Sequence, residues 1–198
     1  PLRPRTLPTE SAALAAVWAG VRREAAALGV PERGVQLVTR LRLRLDAVAS
    51  RAGQQPRRPR VVCLVGMDPP RLPGAWVGEL VAWAGGELSP GPAGAGTHPA
   101  DADELGRADP EVIVLAAAEP GLDAAREAAR ALLALPGWSA LRAVREGRVY
   151  VTVGDAARER PGLGVAEALE ALAEILHPAA FRFGLEGRGW ARVDGGAT

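Results

Sequence analysis

The chain contains no lysine and no asparagine, and all 24 of its basic residues are arginine. Cys63 is the sole cysteine, which excludes an intrachain disulfide and a cysteine-based zinc site. One tyrosine and two phenylalanines leave few platforms on which nucleic-acid bases could stack. No run approaches the ~18 apolar residues of a membrane span, and no charged segment followed by an apolar stretch of signal-peptide type occurs. No Gly-Lys-Ser/Thr phosphate loop is present either: the Gly/Pro-rich stretch 90–96 lacks that ending and follows no strong strand.

What is present is the composition of a folded domain. A chain of 198 residues with 48% hydrophobic and 24% charged residues can build a sizeable core, as one domain or one with an appendage. The net charge of +1 conceals an asymmetry: residues 1–60 carry 12 arginines against four acids, and residues 61–198 carry 12 arginines against 19 acids. A front of +8 and a back of −7 suggest surfaces with different partners, but the scarcity of aromatics argues against nucleic acid and for solvated helix faces.

The first stretch reads as two helices. Leu14, Val17, Trp18, Val21, Ala25 and Leu28 recur at three- and four-residue steps after candidate N-caps Thr9 and Ser11, and Gly29 and Pro31 stop the helix. A second helix runs from about Pro31 to Arg51, with Val38, Leu41, Leu45 and Val48 on one stripe and Arg40 and Arg44 off it. From Arg60 the period changes. The apolar runs Val61–Val65, Val112–Leu115 and Val149–Val153 have the signature of strands covered on both faces. Helical patterns separate or follow them at 76–84, 100–107, 121–133 and 165–176, the last with Val165, Leu169, Leu172 and Leu176 as its buried stripe.

Strands alternating with helices predict an α/β fold: a small parallel sheet, three or four strands wide, flanked by helices and preceded by two helices. The expected division is two helices within residues 1–59, an α/β unit 60–183 and a frayed tail 184–198. In open parallel sheets ligands sit outside the carboxyl ends of the strands, here residues 66–74, 116–120 and 154–162.

From Val61 onward the order of local signals resembles the ABC-transporter substrate-binding proteins that capture cobalamin and iron–siderophore complexes, the cobalamin-binding branch most closely. The carrying residues are Asp68-Pro69-Pro70, Trp76-Val77-Gly78-Glu79-Leu80, Ala84-Gly85-Gly86, Asp109-Pro110-Glu111 with the strand after it, Leu135-Pro136-Gly137-Trp138, Ala143 to Tyr150, Arg160-Pro161-Gly162, and Leu172 to Pro178. The resemblance implies a lobe of a fold in which two α/β lobes, joined by a long helix, clamp a ligand between them. Only the connector helices and the C-terminal lobe have counterparts here. The chain begins at Pro1, so it is expected to be either a fragment or a stand-alone half, one that self-associates or works with a missing N-terminal lobe.

The resemblance also supplies site expectations. Asp155 and Arg160 match positions that hydrogen-bond a corrin's side-chain amides, with Arg158 as a register alternative and an internal Asp155–Arg158 pair as the plainer reading. Asp68 heads the Asp-Pro-Pro step. Family members carry an aromatic just before that step; Gly66 and Met67 stand there instead, so the stacking residue is missing unless Trp76 takes over, and a core position at the start of a helix is the favoured reading of Trp76. Gly74 stands where an acid docks onto transporter arginines. His98, Asp101 and Asp103 lack the spacing of a metal site, and no nucleophile elbow is present. The expectation is therefore a non-enzymatic binding module without cofactor or metal. It would take cobalamin or a similar metal chelate, weakly with one lobe alone, and deliver it to an ABC-transporter permease outside the cytoplasmic membrane. A degenerate lobe that dimerises as a scaffold without corrin binding is the alternative.

Overall fold

The computed structural model describes residues 7–8, 11–91, 97–100, 102–117, 121–153 and 162–194. The three apolar runs form the parallel centre of the sheet. Strand β1 (Arg60–Met67) pairs with β5 (Val112–Ala116) from Val61↔Val112 to Val65↔Ala116, and β5 pairs with β6 (Val149–Thr152). The other edge of β1 is shared: β3 (Glu87–Leu88) runs parallel to its first residues, and β2 (Pro70–Leu72) folds back antiparallel to its last. Strands β4 (His98–Pro99) and β7 (Trp190–Arg192) extend the two ends, also antiparallel, in the order β4-β2-β1-β5-β6-β7. The expected parallel core is present, and the sheet is wider than expected. Strands of two or three residues have no periodicity from which to be read.

Alternation along β1 and β5 divides the core into two layers. Val61, Cys63, Val112 and Val114 face one hydrophobic cluster with helices α1 (Ala12–Ala27), α2 (Pro31–Gly53), α3 (Ala75–Trp83) and α7 (Val165–Leu176). Val62, Leu64, Ile113 and Leu115 face the other, with α4 (Ala102–Ala108), α5 (Leu122–Leu133) and the turn at Trp138 ahead of α6 (Arg142–Arg145). Covering both faces is what continuous apolar strands require. Helices α1 and α2 thus share a hydrophobic cluster with the lobe: Leu14, Trp18, Val38, Leu41 and Leu45 lie in it.

Three details differ from the sequence reading. Leu28 leaves the buried stripe and is 77% exposed, because α1 ends at Ala27 and the chain turns away. Ser11 precedes α1 but makes no cap bond; its hydroxyl donates to Glu79 Oε2 at 2.6 Å and ties α1 to α3. Thr9 lies outside the described residues. The third difference is the tail. Residues 190–192 form β7, and Leu185, Trp190, Ala191 and Val193 are buried.

The tail is ordered by a carboxylate on α7. Glu174, 6% exposed, accepts the backbone N–H of Phe183, Gly184 (2.6 Å) and Leu185 (3.1 Å) and the indole N–H of Trp190 (2.9 Å). Burial alone would raise its carboxyl pKa; the Trp190 indole and the three backbone donors outweigh it and hold the group below the usual carboxylate range.

Candidate functional site

Strands β1, β5 and β6 end on the same side of the sheet, at Met67, Ala116 and Thr152. The ends of β5 and β6 are joined where Ala117 N–H donates to Thr152 O at 2.9 Å, and Val153 N–H donates to Gly189 O at 3.1 Å. Between β1 and β2 the chain makes a tight hairpin, which places Asp68 exposed at the tip. Arg71 on β2 is committed: its guanidinium donates to Thr97 Oγ1 at 3.0 Å and Thr97 O at 2.8 Å, anchoring the start of β4. Asp68 is therefore the charged side chain of this hairpin left facing outward. Thr152 Oγ1, at the end of β6, is buried and has no hydrogen-bond partner among the described residues.

Trp76 is in the core. It is 8% exposed and meets Trp83 edge-on, with ring centroids 5.6 Å apart, so its ring has little open face for a ligand. Asp155, Arg158 and Arg160 lie outside the described residues. Among the sequence-derived site residues, Asp68 is the one seen at the strand ends. His98 falls on β4 and Asp103 on α4, while Asp101 lies outside the described residues; among the described residues no group of three His, Cys, Asp or Glu side chains could hold a metal. Cys63 is buried, and burial pushes its thiol up to about 12, so it is a neutral core side chain at physiological pH.

Part of the basic front is taken up by the fold. Arg44 grips Glu170 on α7 with Nε and Nη2 at 3.0 and 2.7 Å, and this contact with Glu170 raises the guanidinium pKa. Arg57 pairs with buried Glu111, Arg58 donates to Ala82 O and Gly86 O, and Arg60 pairs with Asp109 at 2.7 Å. Arg51 lies 5.2 Å over the Phe181 ring. These side chains brace α2 and the elbow after it against the lobe. They do not form the free cationic stripe a polyanion needs. Sequence reasoning missed the partners, because Glu170 and Glu111 are 126 and 51 or more residues away and nothing local marks them.

Helices α2 and α7 run side by side in the same direction: Arg44 meets Glu170, and Ala52 and His177 both close on Gly85. From Arg44, α2 extends thirteen residues back to Pro31, and from Glu170, α7 extends five back to Val165. At 1.5 Å per residue the corner between α1 and α2 rises about 12 Å past the start of α7. It carries exposed Leu28, Val30 and Val35, on the side where the strands end.

With this geometry in view, a family model described as periplasmic binding protein matches residues 10–156. The chain belongs to this family. No curated protein matches the sequence. Among solved structures, a periplasmic heme binding protein from Pseudomonas aeruginosa is 27% identical, with a TM-score of 0.71 over 84% of this chain and 61% of its own. A TroA-like periplasmic binding protein from Veillonella parvula is 22% identical, with a TM-score of 0.69 over 85% of this chain and 54% of its own. An Fe3+-hydroxamate transport protein from Saccharomonospora viridis is 22% identical, with a TM-score of 0.67 over 81% of this chain and 55% of its own. The chain thus spans little more than half the length of these periplasmic binding proteins. The fold is theirs, with an open, centrally parallel sheet between helical layers.

Proposed function

We propose that this chain is the solute-binding component of an ABC transporter, or half of one, for a metal chelate of the cobalamin, haem or siderophore class. The observation that carries the reading is the family match across residues 10–156, on a unit whose three central strands end together on one side of the sheet. Ligand would lie against that rim, with Asp68 as one polar contact and the loop bearing Asp155, Arg158 and Arg160 as another. Cobalamin is the first choice, from the sequence resemblance; the heme and Fe3+-hydroxamate proteins among the structural neighbours support the wider chelate class. The role is binding and delivery to a permease outside the cytoplasmic membrane, without catalysis.

Affinity follows from having one lobe. A nanomolar two-lobed site is worth about 12 kcal/mol, and half of that leaves about 6, a dissociation constant of tens of micromolar. The exposed corner Leu28, Val30 and Val35, rising beside the rim, supports a second lobe or a second copy closing over the ligand. The same corner favours the alternative of a dimerising scaffold that binds no chelate. Titration with cobalamin, cobinamide, haem and a ferric hydroxamate, read by visible absorbance and thermal shift, separates the two. A saturable response supports the transport reading; its absence at millimolar ligand, combined with a dimer in sedimentation, supports the scaffold.

A further inference from the structure

The ladder between β1 and β2 carries a bulge between Val65 and Met67, where Gly66 takes φ +75°. In an unbroken strand residue 67 would share the face of Val61 and Cys63. The extra residue turns Met67 onto the opposite face, into the cluster of Val62, Leu64 and Leu132. There its side chain meets α5 and the residues just after it. Ala128, Ala131, Leu132 and Leu135 recur at i, i+3, i+4 and i+7, so the apolar stripe of α5 runs out from the core onto the surface. Together with Met67 and Asp68 they line a depression of about 410 Å³.

Among the described residues, the polar character of this depression is of one sign. Asp68, exposed at its edge, contributes a carboxylate. The 12-residue α5 ends here, bringing the negative pole of its dipole, and Leu135 N–H turns back to Leu132 O at 3.1 Å in place of Ala131 O. The Met67 sulfur is soft and polarisable. Among the described residues no basic side chain lines the depression, and Arg130, on the same helix, is turned to Glu127 at 3.2 Å. We propose that this depression is a binding site for a small organic cation, an ammonium group on a hydrocarbon body. The body would lie on Met67 and the alanine and leucine methyls, and the charge would face Asp68 and the end of α5. The proposal shares Asp68 with the solute-binding reading but does not rest on it.

Met67 is the only methionine, so a chain labelled at the methionine methyl gives one assignable NMR signal. Titration with benzyltrimethylammonium is expected to move that signal saturably, with half-saturation in the millimolar range, while benzoate, of similar shape and opposite charge, leaves it in place. Asp68→Asn should raise the half-saturation about fivefold, the weight of one solvent-screened charge at contact. Ala131→Arg, placing a guanidinium in the depression, should abolish the response. Asp68 and Ala131 are both exposed, so the variants keep the fold, which an unchanged melting curve verifies. Equal movement with benzoate, no movement with the ammonium ion, or an unchanged half-saturation in Asp68→Asn overturns the proposal. Chelate titrations fail independently: a silent chelate with a responding ammonium ion removes the transport reading and leaves this site standing.

Discussion

Glu174 orders the segment after α7, because one buried carboxylate collects four N–H donors from it. Glu174→Gln replaces one acceptor oxygen by an amide that faces donors, and should cost about 2–4 kcal/mol, read from denaturant unfolding. The folded carboxyl is held below its unfolded value of about 4.3, so its contribution is complete above about pH 4.3 and is lost as the pH falls through the folded value. Acid unfolding of Glu174→Gln should therefore be shallower than that of the parent. Gly85 is the second residue with a sharp constraint. Its φ is +86°, and a Cβ there would stand 2.6 Å from His177 Nε2 and 3.0 Å from Ala52 O. Gly85→Ala should lower stability by about 2–3 kcal/mol, combining left-handed strain with a backbone clash, and differential scanning calorimetry checks it. Cys63, buried with its thiol pushed up to about 12, should resist thiol reagents in the native state and react stoichiometrically in denaturant. The need for positive φ at the Ala84-Gly85-Gly86 turn was legible in the sequence, since glycine is the residue that adopts it freely. The Glu174 cluster was not, because its four donors are backbone and indole groups that no spacing rule marks.

At the scale of elements, legibility tracks the length of the hydrophobic pattern. Helices α1, α2, α5 and α7 and strands β1, β5 and β6 lie within a few residues of where periodicity or apolar runs put them, because each must bury a stripe or two faces. Strands β2, β3, β4 and β7 escaped, as two- and three-residue segments defined by the partner that receives them. For β7 that partner is β6, and Trp190 adds an edge-on contact with Tyr150 at 5.6 Å. The α2–α7 junction shows the same limit: the Arg44 position off the stripe was legible, its partner was not. Glu170 is 11% exposed at the side chain and Arg44 is 50% exposed, so the pair is neither a free surface bridge nor a fully buried one. Arg44→Ala should cost about 1–2 kcal/mol, chiefly by leaving Glu170 uncompensated, and lower the melting temperature by roughly 3–6 °C. The double variant with Glu170→Ala should recover part of the loss, because no buried charge then lacks its counter-charge.

Across the whole molecule, the charge asymmetry of the sequence becomes a bracing system. Arg44, Arg57, Arg58 and Arg60 reach acids and carbonyls of the remainder, which ties α2 and the elbow after it to the lobe and leaves the corner between α1 and α2 projecting beside the rim. The candidate site was legible as a place, the carboxyl ends of the central strands, since that follows from parallel topology. Its side chains were less so: Met67 is redirected by a bulge that no pattern announces, whereas the core place of Trp76 follows from the burial its indole favours. The function proposed for this member of the periplasmic binding protein family requires it to present half of a chelate-binding cleft. Isothermal titration of the purified chain with cobinamide, cobalamin and haem tests it most directly. One saturable site is expected for at least one of them, with a dissociation constant of tens of micromolar, weakened by Asp68→Ala. Absence of heat and of any spectral change with all three at millimolar concentration would contradict it.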